Sequence, residues 1–388
     1  MPKLRRGLAL ALVSTCLIPC TSWAADDAAS IRAIVDKAIK PVMAEHDVPG
    51  MAIAVTVDGK SYFFNYGVAS KETNTPVSEA TLFELGSVSK TMTGTLATYA
   101  QVIGKLSLSD HPGKYISQLK GSAIDKASLL NLGTYTAGGL PQQFPDEISK
   151  DEQINAYFRD WKPDAPAGKQ RRYSNPSIGL LGHITSIALK RDFADAMETQ
   201  LFPQLGLSQS YIRVPQSAMP NYAWGYDKAN KAIRVNPDVF DDEAYGVKSS
   251  SSDMIRFVQM NITPEQLNAQ MRSAIEATHV GHFKVGEMVQ GLGWEQYPFP
   301  IALDRLLAGN SRIMSSKPNA AKQLTPPMAP SGPTLFNKTG STGGFGNYVA
   351  FVPAKKIGIV ILANKSLPGP ARITAAHTIL GQLAKNMP

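Results

Sequence analysis

The chain has 388 residues, 43% of them hydrophobic and 18% charged, with 39 Lys and Arg against 31 Asp and Glu. That length suits one large domain or two lobes with a substantial core. The basic excess is dispersed, without a long stripe of Lys and Arg interleaved with aromatics, which excludes a nucleic-acid-binding surface.

The opening segment is basic at Lys3, Arg5 and Arg6, apolar from Leu8 to Ile18, and closes on Ser22-Trp23-Ala24. This is the pattern of a secretory signal peptide over residues 1–24, cleaved after Ala24. It predicts export to the periplasm and leaves 36 basic against 31 acidic residues, a mature charge of +5. Both cysteines, Cys16 and Cys20, fall inside the leader, so the mature chain is expected to stand on its core without disulfides. Pro19 occupies the place where a lipoprotein signal at Cys20 would want a small residue. No later stretch approaches the ~20 continuous apolar residues of a membrane span, and a monomer with no membrane anchor is expected.

Residues 26–46 place Ile31, Ile34, Val35, Ala38, Ile39, Val42 and Met43 three and four apart, which predicts an amphipathic helix ended by Pro49-Gly50. Met51 to Val57 and Tyr62 to Val68 then read as a hairpin through Asp58-Gly59. At the other end, Leu335 to Thr339, Tyr348 to Val352 and Ile357 to Leu362 read as three strands, and Ala371 to Lys385 as a closing helix. Short connections favour one antiparallel sheet shared by both ends of the chain. The expected fold class is therefore α/β, an antiparallel sheet flanked by terminal helices plus a mostly helical lobe. Residues 25–81 and 325–388 would form the α/β lobe and 82–324 the helical lobe with its connecting segments. Pro326-Pro327 to Pro333 reads as a boundary linker, and the cleft between lobes is the expected place for a small-molecule site.

Within the middle region, Ser87 stands at or just inside the start of a helical run to about Ile103, with Lys90 one turn later on the same face. A neighbouring amine that is neutral, or that relays a proton, turns a serine hydroxyl into an effective nucleophile. The pattern is weak alone, since Ser117-Gln118-Leu119-Lys120 repeats it; the second copy reads as surface decoration. Tyr173-Ser174-Asn175 follows in a loop flanked by Pro166, Gly168 and Pro176. A phenol whose pKa is pulled down by nearby cations can act as a base, and Lys90 or the basic run Lys169-Gln170-Arg171-Arg172 could supply that pull. The run otherwise reads as a solvated surface turn. Asn175 suits recognition of an amide. Lys338-Thr339-Gly340 ends a strand in glycines, where a ligand can pair with backbone that carries no side chain.

In this order, Ser87-x-x-Lys90, Tyr173-x-Asn175 and Lys338-Thr339-Gly340 resemble the three motifs of penicillin-recognising serine enzymes, and their intervals resemble class C (AmpC-type) β-lactamases. The resemblance extends through Thr134 to Pro141, Tyr173 to Leu180, Glu243 to Lys248 and Gly291 to Glu295. It implies the β-lactamase/DD-peptidase-like fold, with a five-stranded-type α/β lobe, and hydrolysis of a small-molecule β-lactam, cephalosporins foremost, through an acyl-enzyme on Ser87. It also implies proton handling by Lys90 and Tyr173, and an oxyanion hole from the backbone N–H groups of Ser87 and Ser341. Gln143 and Asn175 would hold the substrate's amide, Lys338, Thr339 and Arg372 its carboxylate side, and Tyr245 would wall the side-chain pocket. No cofactor or metal is expected. The chain departs from the family's pattern at Gln142, and at Gly369, where many members carry a side-chain amide.

The rivals are a DD-peptidase or penicillin-binding protein, which would deacylate slowly; a related serine esterase, which usually lacks Lys-Thr-Gly; a class A enzyme, which wants Ser-Asp-Asn; and a β-lactam sensor, which needs a transmembrane segment. A zinc hydrolase is poorly supported, because His279 and His282 are the one close histidine pair and read as surface residues.

Overall fold

The computed structural model describes residues 22–385. The expected leader lies outside them, apart from Ser22 to Ala24, which begin the first helix, α1 (Ser22–Glu45). The hairpin follows as β1 (Gly50–Val57) and β2 (Lys60–Ser70). Its turn residues, Asp58 and Gly59, both take positive φ (47° and 83°), the two-residue geometry whose twist matches paired antiparallel strands, and Val57 sits opposite Lys60.

Ten strands make the main sheet, more than the five-stranded core that the resemblance implied. Besides β1 and β2 they are β3 (Thr75–Pro76), β4 (Gly281–Val285), β5 (Met288–Gln290), β6 (Glu295–Pro298), β7 (Lys322–Met328), β8 (Thr334–Ser341), β9 (Gly346–Val352) and β10 (Ile357–Ala363). Their order is β7-β4-β5-β6-β8-β9-β10-β1-β2-β3. The segment 281–324, placed by the sequence among the helical lobe and its connections, thus adds three strands and the start of a fourth, β7, to the sheet. Pro326 and Pro327, expected in a linker, lie in β7, the edge strand; an edge tolerates residues that cannot donate to a ladder.

Period-two alternation divides the central strands between two cores. Met51, Ile53 and Val55 of β1, with Ile357, Ile359 and Ile361 of β10, pack with Ile31, Val35 and Ile39 of α1 and with Ile373 and Ile379 of the closing helix. Ala52, Ala54, Val360 and Leu362 face the other way, toward Phe257 and Val258 of a helix over Ser251–Ile262 and toward Trp294. Both faces are covered, which is why these strands read as unbroken apolar runs rather than as polar–apolar alternation.

The helix that follows Ser87, α2 (Ser89–Val102), is buried along almost its whole length. Its interior threonines satisfy their hydroxyls on carbonyls: Thr95 on Thr91 (2.8 Å), Thr98 on Ala274 (2.9 Å) and Thr93 on Glu243 (2.7 Å). A polar-looking sequence can therefore be buried on all sides without orphaned donors. A further helix, α3 (Asn175–Leu189), starts where Ser174 caps the amide of Ser177 at 3.0 Å. That cap fixes Asn175 at the helix start with Tyr173 just ahead of it. The chain closes with α4 (Gly369–Lys385).

Candidate active site

Ser87 lies in a short 3-10 turn, Gly86–Val88, that leads into α2. The end of β8 runs against this turn so closely that a Cβ on Gly86 would stand 2.5 Å from the amide nitrogen of Ser341, and one on Gly340 would stand 2.1 Å from the carbonyl oxygen of Leu85. Gly86 also takes φ +56°, a conformation favouring glycine. The backbones of Ser87 and Ser341 come together because no side chain separates them.

Lys90 is fully buried behind the serine. Its Nζ donates to Ser87 Oγ at 3.0 Å and to the Ala244 carbonyl at 2.7 Å. Burial, aided by the charge of Lys338, pulls its pKa down to about 8 even though Tyr173 opposes the shift. Tyr173 is buried between the two ammonium groups, with Lys90 Nζ 5.2 Å and Lys338 Nζ 5.1 Å from its ring centroid. Burial alone would raise the phenol, but Lys338 first and Lys90 second outweigh it and bring it to about 8. Its hydroxyl lacks a well-formed hydrogen bond among the described residues, although Ser87 and Lys90 are near enough to help lower its pKa. An amine and a phenol that both titrate near neutrality beside one hydroxyl are matched for moving its proton, and they titrate as a unit.

A cleft of about 520 Å³ opens over this group and brings together Ser87, Gln143, Tyr173, Asn175, Tyr245, Lys338, Thr339, Ser341 and Arg372. Asn175 Nδ2 donates to Gln143 Oε1 at 2.8 Å, while Asn175 Oδ1 is buried without a partner among the described residues, an acceptor available to an amide N–H. Tyr245 stands half-buried in the wall. Arg372 is already engaged: it donates to the Gly340 carbonyl and to Ser341 Oγ, each at 2.7 Å, and burial lowers its pKa to about 10. Gly369 lies on the rim with open space around a would-be Cβ and no positive φ, so a side chain there is tolerated. Ser117 and Lys120, the second Ser-x-x-Lys, are exposed on a separate 3-10 turn.

The sequence reading took Arg171 only as part of a basic run, on a solvated turn or pulling on Tyr173, and did not foresee its part in the structure. Far from lying on a solvated turn, it is 2% exposed. It donates to Gln290 (2.7 Å), to the Met314 carbonyl (2.8 Å) and to Glu295 (3.1 Å), and its guanidinium lies 5.6 Å from the centroid of the Tyr173 ring. The available signal was position: Arg171 stands two residues before Tyr173 in an extended segment, where alternation puts both on one side. His279 is likewise a correction. It is buried against the Phe336 ring at 4.5 Å and bonded to Asn261 at 3.0 Å, with a pKa driven down to about 3 by burial; His282 is partly buried and also lowered, to about 4. Among the described residues, no group of three or more His, Cys, Asp or Glu is placed to hold a metal.

Removing one member of a buried ion pair strands the other. Arg171→Met should therefore lower unfolding free energy by about 3 kcal/mol or more, and Arg171→Met with Glu295→Gln should recover part of it; urea unfolding of the two variants measures the difference.

The comparisons agree with the geometry. The family profile described as Beta-lactamase matches residues 35–384. A β-lactamase of Pseudomonas fluorescens is 51% identical over 356 residues, spanning 92% of this chain and 99% of that protein. Two solved structures superpose over 92% of this chain and at least 99% of theirs. One is a β-lactamase/D-alanine carboxypeptidase of Pseudomonas syringae (47% identity, TM-score 0.90) and the other a class C β-lactamase in complex with cefoxitin (48%, TM-score 0.89). The chain belongs to the β-lactamase family.

Proposed function

We propose that this enzyme hydrolyses β-lactams, cephalosporins in particular, by the class C route with Ser87 as nucleophile. The observation that carries the reading is the contact of Ser87 Oγ with a buried, pKa-lowered Lys90 beside a phenol held between two ammonium groups. Ser87 Oγ attacks the lactam carbonyl carbon as its proton passes to the Tyr173–Lys90 pair. The amides of Ser87 and Ser341 receive the oxyanion. The lactam C–N bond then breaks, nitrogen takes a proton from the same pair, and an ester to Ser87 remains. Water, deprotonated by the pair, attacks the ester; the Ser87 hydroxyl is regenerated and the ring-opened acid leaves.

Gln143 and Asn175 hold the substrate amide, Tyr245 walls its side chain, and Lys338, Thr339 and Arg372 attract its carboxylate. The basic and apolar leader supports export to the periplasm, and no described helix is long and apolar enough to cross a membrane; we read the chain as a monomer. The P. syringae neighbour, whose name pairs β-lactamase with D-alanine carboxypeptidase, gives the second reading, in which a terminal D-alanine is the leaving group. Comparing steady-state hydrolysis of a chromogenic cephalosporin with that of a D-alanyl-D-alanine peptide separates the two.

Intact-mass measurement after exposure to a slowly hydrolysed β-lactam should show one covalent adduct at Ser87, absent from Ser87→Ala; an adduct that survives the substitution refutes the assignment. The acid limb of the acylation pH profile should reflect loss of one proton from the Tyr173–Lys90 pair, so the rate rises with pH toward about 8. Lys338 lowers the pKa of both groups. Lys338→Met should therefore move the acid limb to higher pH, in addition to weakening carboxylate binding; an unmoved limb would show that Lys338 does not tune the pair. Gly369→Asn should tighten carboxylate-bearing inhibitors by about 1 kcal/mol, the worth of one added hydrogen bond, with an unchanged melting temperature. Unaltered inhibition constants would remove Gly369 from the ligand's reach.

A further inference from the structure

Three residues before Ser87, Glu84 is 1% exposed, yet it belongs to none of the steps above. Its carboxylate joins three separate segments. Oε1 accepts from the Tyr222 hydroxyl and from the Val235 amide, both at 2.7 Å, and Oε2 accepts from Thr342 Oγ1 at 2.6 Å. Its own carbonyl accepts from Asn347 Nδ2 of β9 at 2.7 Å, so the carboxylate is anchored to the sheet as well as to the turn that carries the serine. Two of the donors belong to residues lining the cleft, Val235 and Thr342.

The segments it joins are packed together and linked elsewhere as well: Gly225–Tyr226 pairs with Ala232–Ile233, the Tyr226 amide donates to the Gly344 carbonyl at 3.1 Å, and Arg234 donates to the Ala223 and Tyr222 carbonyls. Cβ atoms at Gly343 and Gly344 would stand 2.9 Å from Ile233 side-chain carbons, and Arg234 lies over the Tyr222 and Trp224 rings at 3.9 and 4.3 Å. Those links hold the segments at residues outside the cleft lining; among the described residues it is the Glu84 side chain whose hydrogen bonds reach both Val235 and Thr342 on the lining itself, and bonds to one buried side chain fix their distance. We infer that Glu84 is a positioning residue: it sets the separation between the Val235 rim and the glycine-rich Thr342–Gly344 rim of the cleft, and through it the size of substrate side chain the enzyme accepts. Val235 lies on the stretch that leads to Tyr245, the wall assigned to that side chain, so the inference rests on the proposed β-lactam reading.

Geometry rather than charge is what the role requires. In Glu84→Gln the amide oxygen can still accept from Tyr222 and Val235 while its NH2 donates to Thr342 Oγ1, which then accepts; all three links survive without the charge. In Glu84→Ala all three are lost. The test uses the full-length mature enzyme and two cephalosporins of identical ring nucleus, one with a compact and one with a bulky acylamino side chain. Glu84→Ala should change the ratio of their kcat/KM values by roughly fivefold or more, mainly through KM, the scale of a pocket-size change, and Glu84→Gln should keep the native ratio. Tyr222→Phe removes one link, so it should shift the ratio in the same sense by less; it decides the matter if Glu84→Ala does not fold. The inference is overturned if Glu84→Ala lowers kcat equally for both substrates with the ratio intact, if Glu84→Gln is as altered as Glu84→Ala, or if neither Glu84→Ala nor Tyr222→Phe moves the ratio. The mass adduct on Ser87 in the native enzyme reports separately on the underlying reading, so failure of one is distinguishable from failure of the other.

Discussion

The backbone of β8 touches the backbone of the Ser87 turn with nothing between them. Gly86 and Gly340 make this contact possible, and Gly293 makes a third of the same kind from the β5–β6 connection, where a Cβ would stand 2.6 Å from Thr91 Cα and 2.8 Å from the Lys90 carbonyl oxygen. The start of α2 is therefore held by main chain from two directions. Main-chain contacts lack the rotamer freedom of side chains, so the serine's position relative to Ser341 is set by the sheet itself. Such a site can be precise while its walls vary, because the walls are built from other segments.

The same approach forces an electrostatic arrangement. Bringing β8 to the turn puts Lys338 beside Lys90, two cations in a dry place with one phenol between them. Among the described residues neither lysine forms a salt bridge: Lys90 rests on the Ser87 hydroxyl and the Ala244 carbonyl, and Lys338 on the carbonyl of Thr339 at 2.9 Å. Neutral acceptors are the key to the chemistry. A carboxylate partner would hold a lysine protonated, and would cancel the field that lowers the phenol. Two buried carboxylates of neighbouring segments, Glu295 opposite Asn337 in the sheet and Glu84 three residues before Ser87, are engaged elsewhere: Glu295 is paired with Arg171, and Glu84 is occupied by Tyr222, Val235 and Thr342. Arg171 thus occupies Glu295 while binding three segments together.

The terminal helices, the Asp58-Gly59 hairpin and the last three strands were legible because each has a local cause: helical spacing, a turn that needs positive φ, apolar runs bounded by breakers. The residues gathered at the cleft, with Ser87 as the proposed nucleophile, were legible because short motifs record them. The remainder depended on long-range pairing. Strands Gly281–Val285, Met288–Gln290 and Glu295–Pro298 are only three to five residues long, and nothing local announces that they extend the sheet beside β8. Arg171 was misread since a run of basic residues looks alike whether it meets water or a glutamate over a hundred residues away. His279 was misread for the complementary reason, a polar residue inside an aromatic cluster of Phe336 and Phe351. Composition reports what a side chain prefers; the fold decides which preferences are overridden.

Arg372 shows how far the site relies on field rather than on direct contact. Its guanidinium is spent on the Gly340 carbonyl and Ser341 Oγ, so it cannot turn freely toward a substrate carboxylate without abandoning the strand end that carries the proposed oxyanion amide. Its charge still acts on the cleft it lines. The first turn of α4, beginning at Gly369 on the rim, adds the positive end of a 17-residue helix, and Lys338 adds a third source. An anion attracted by three converging fields needs no single fixed partner, so its position can differ by an ångström from one ring system to another. That freedom would let ligands with differently placed carboxylates bring their lactam carbonyls to one unmoving serine.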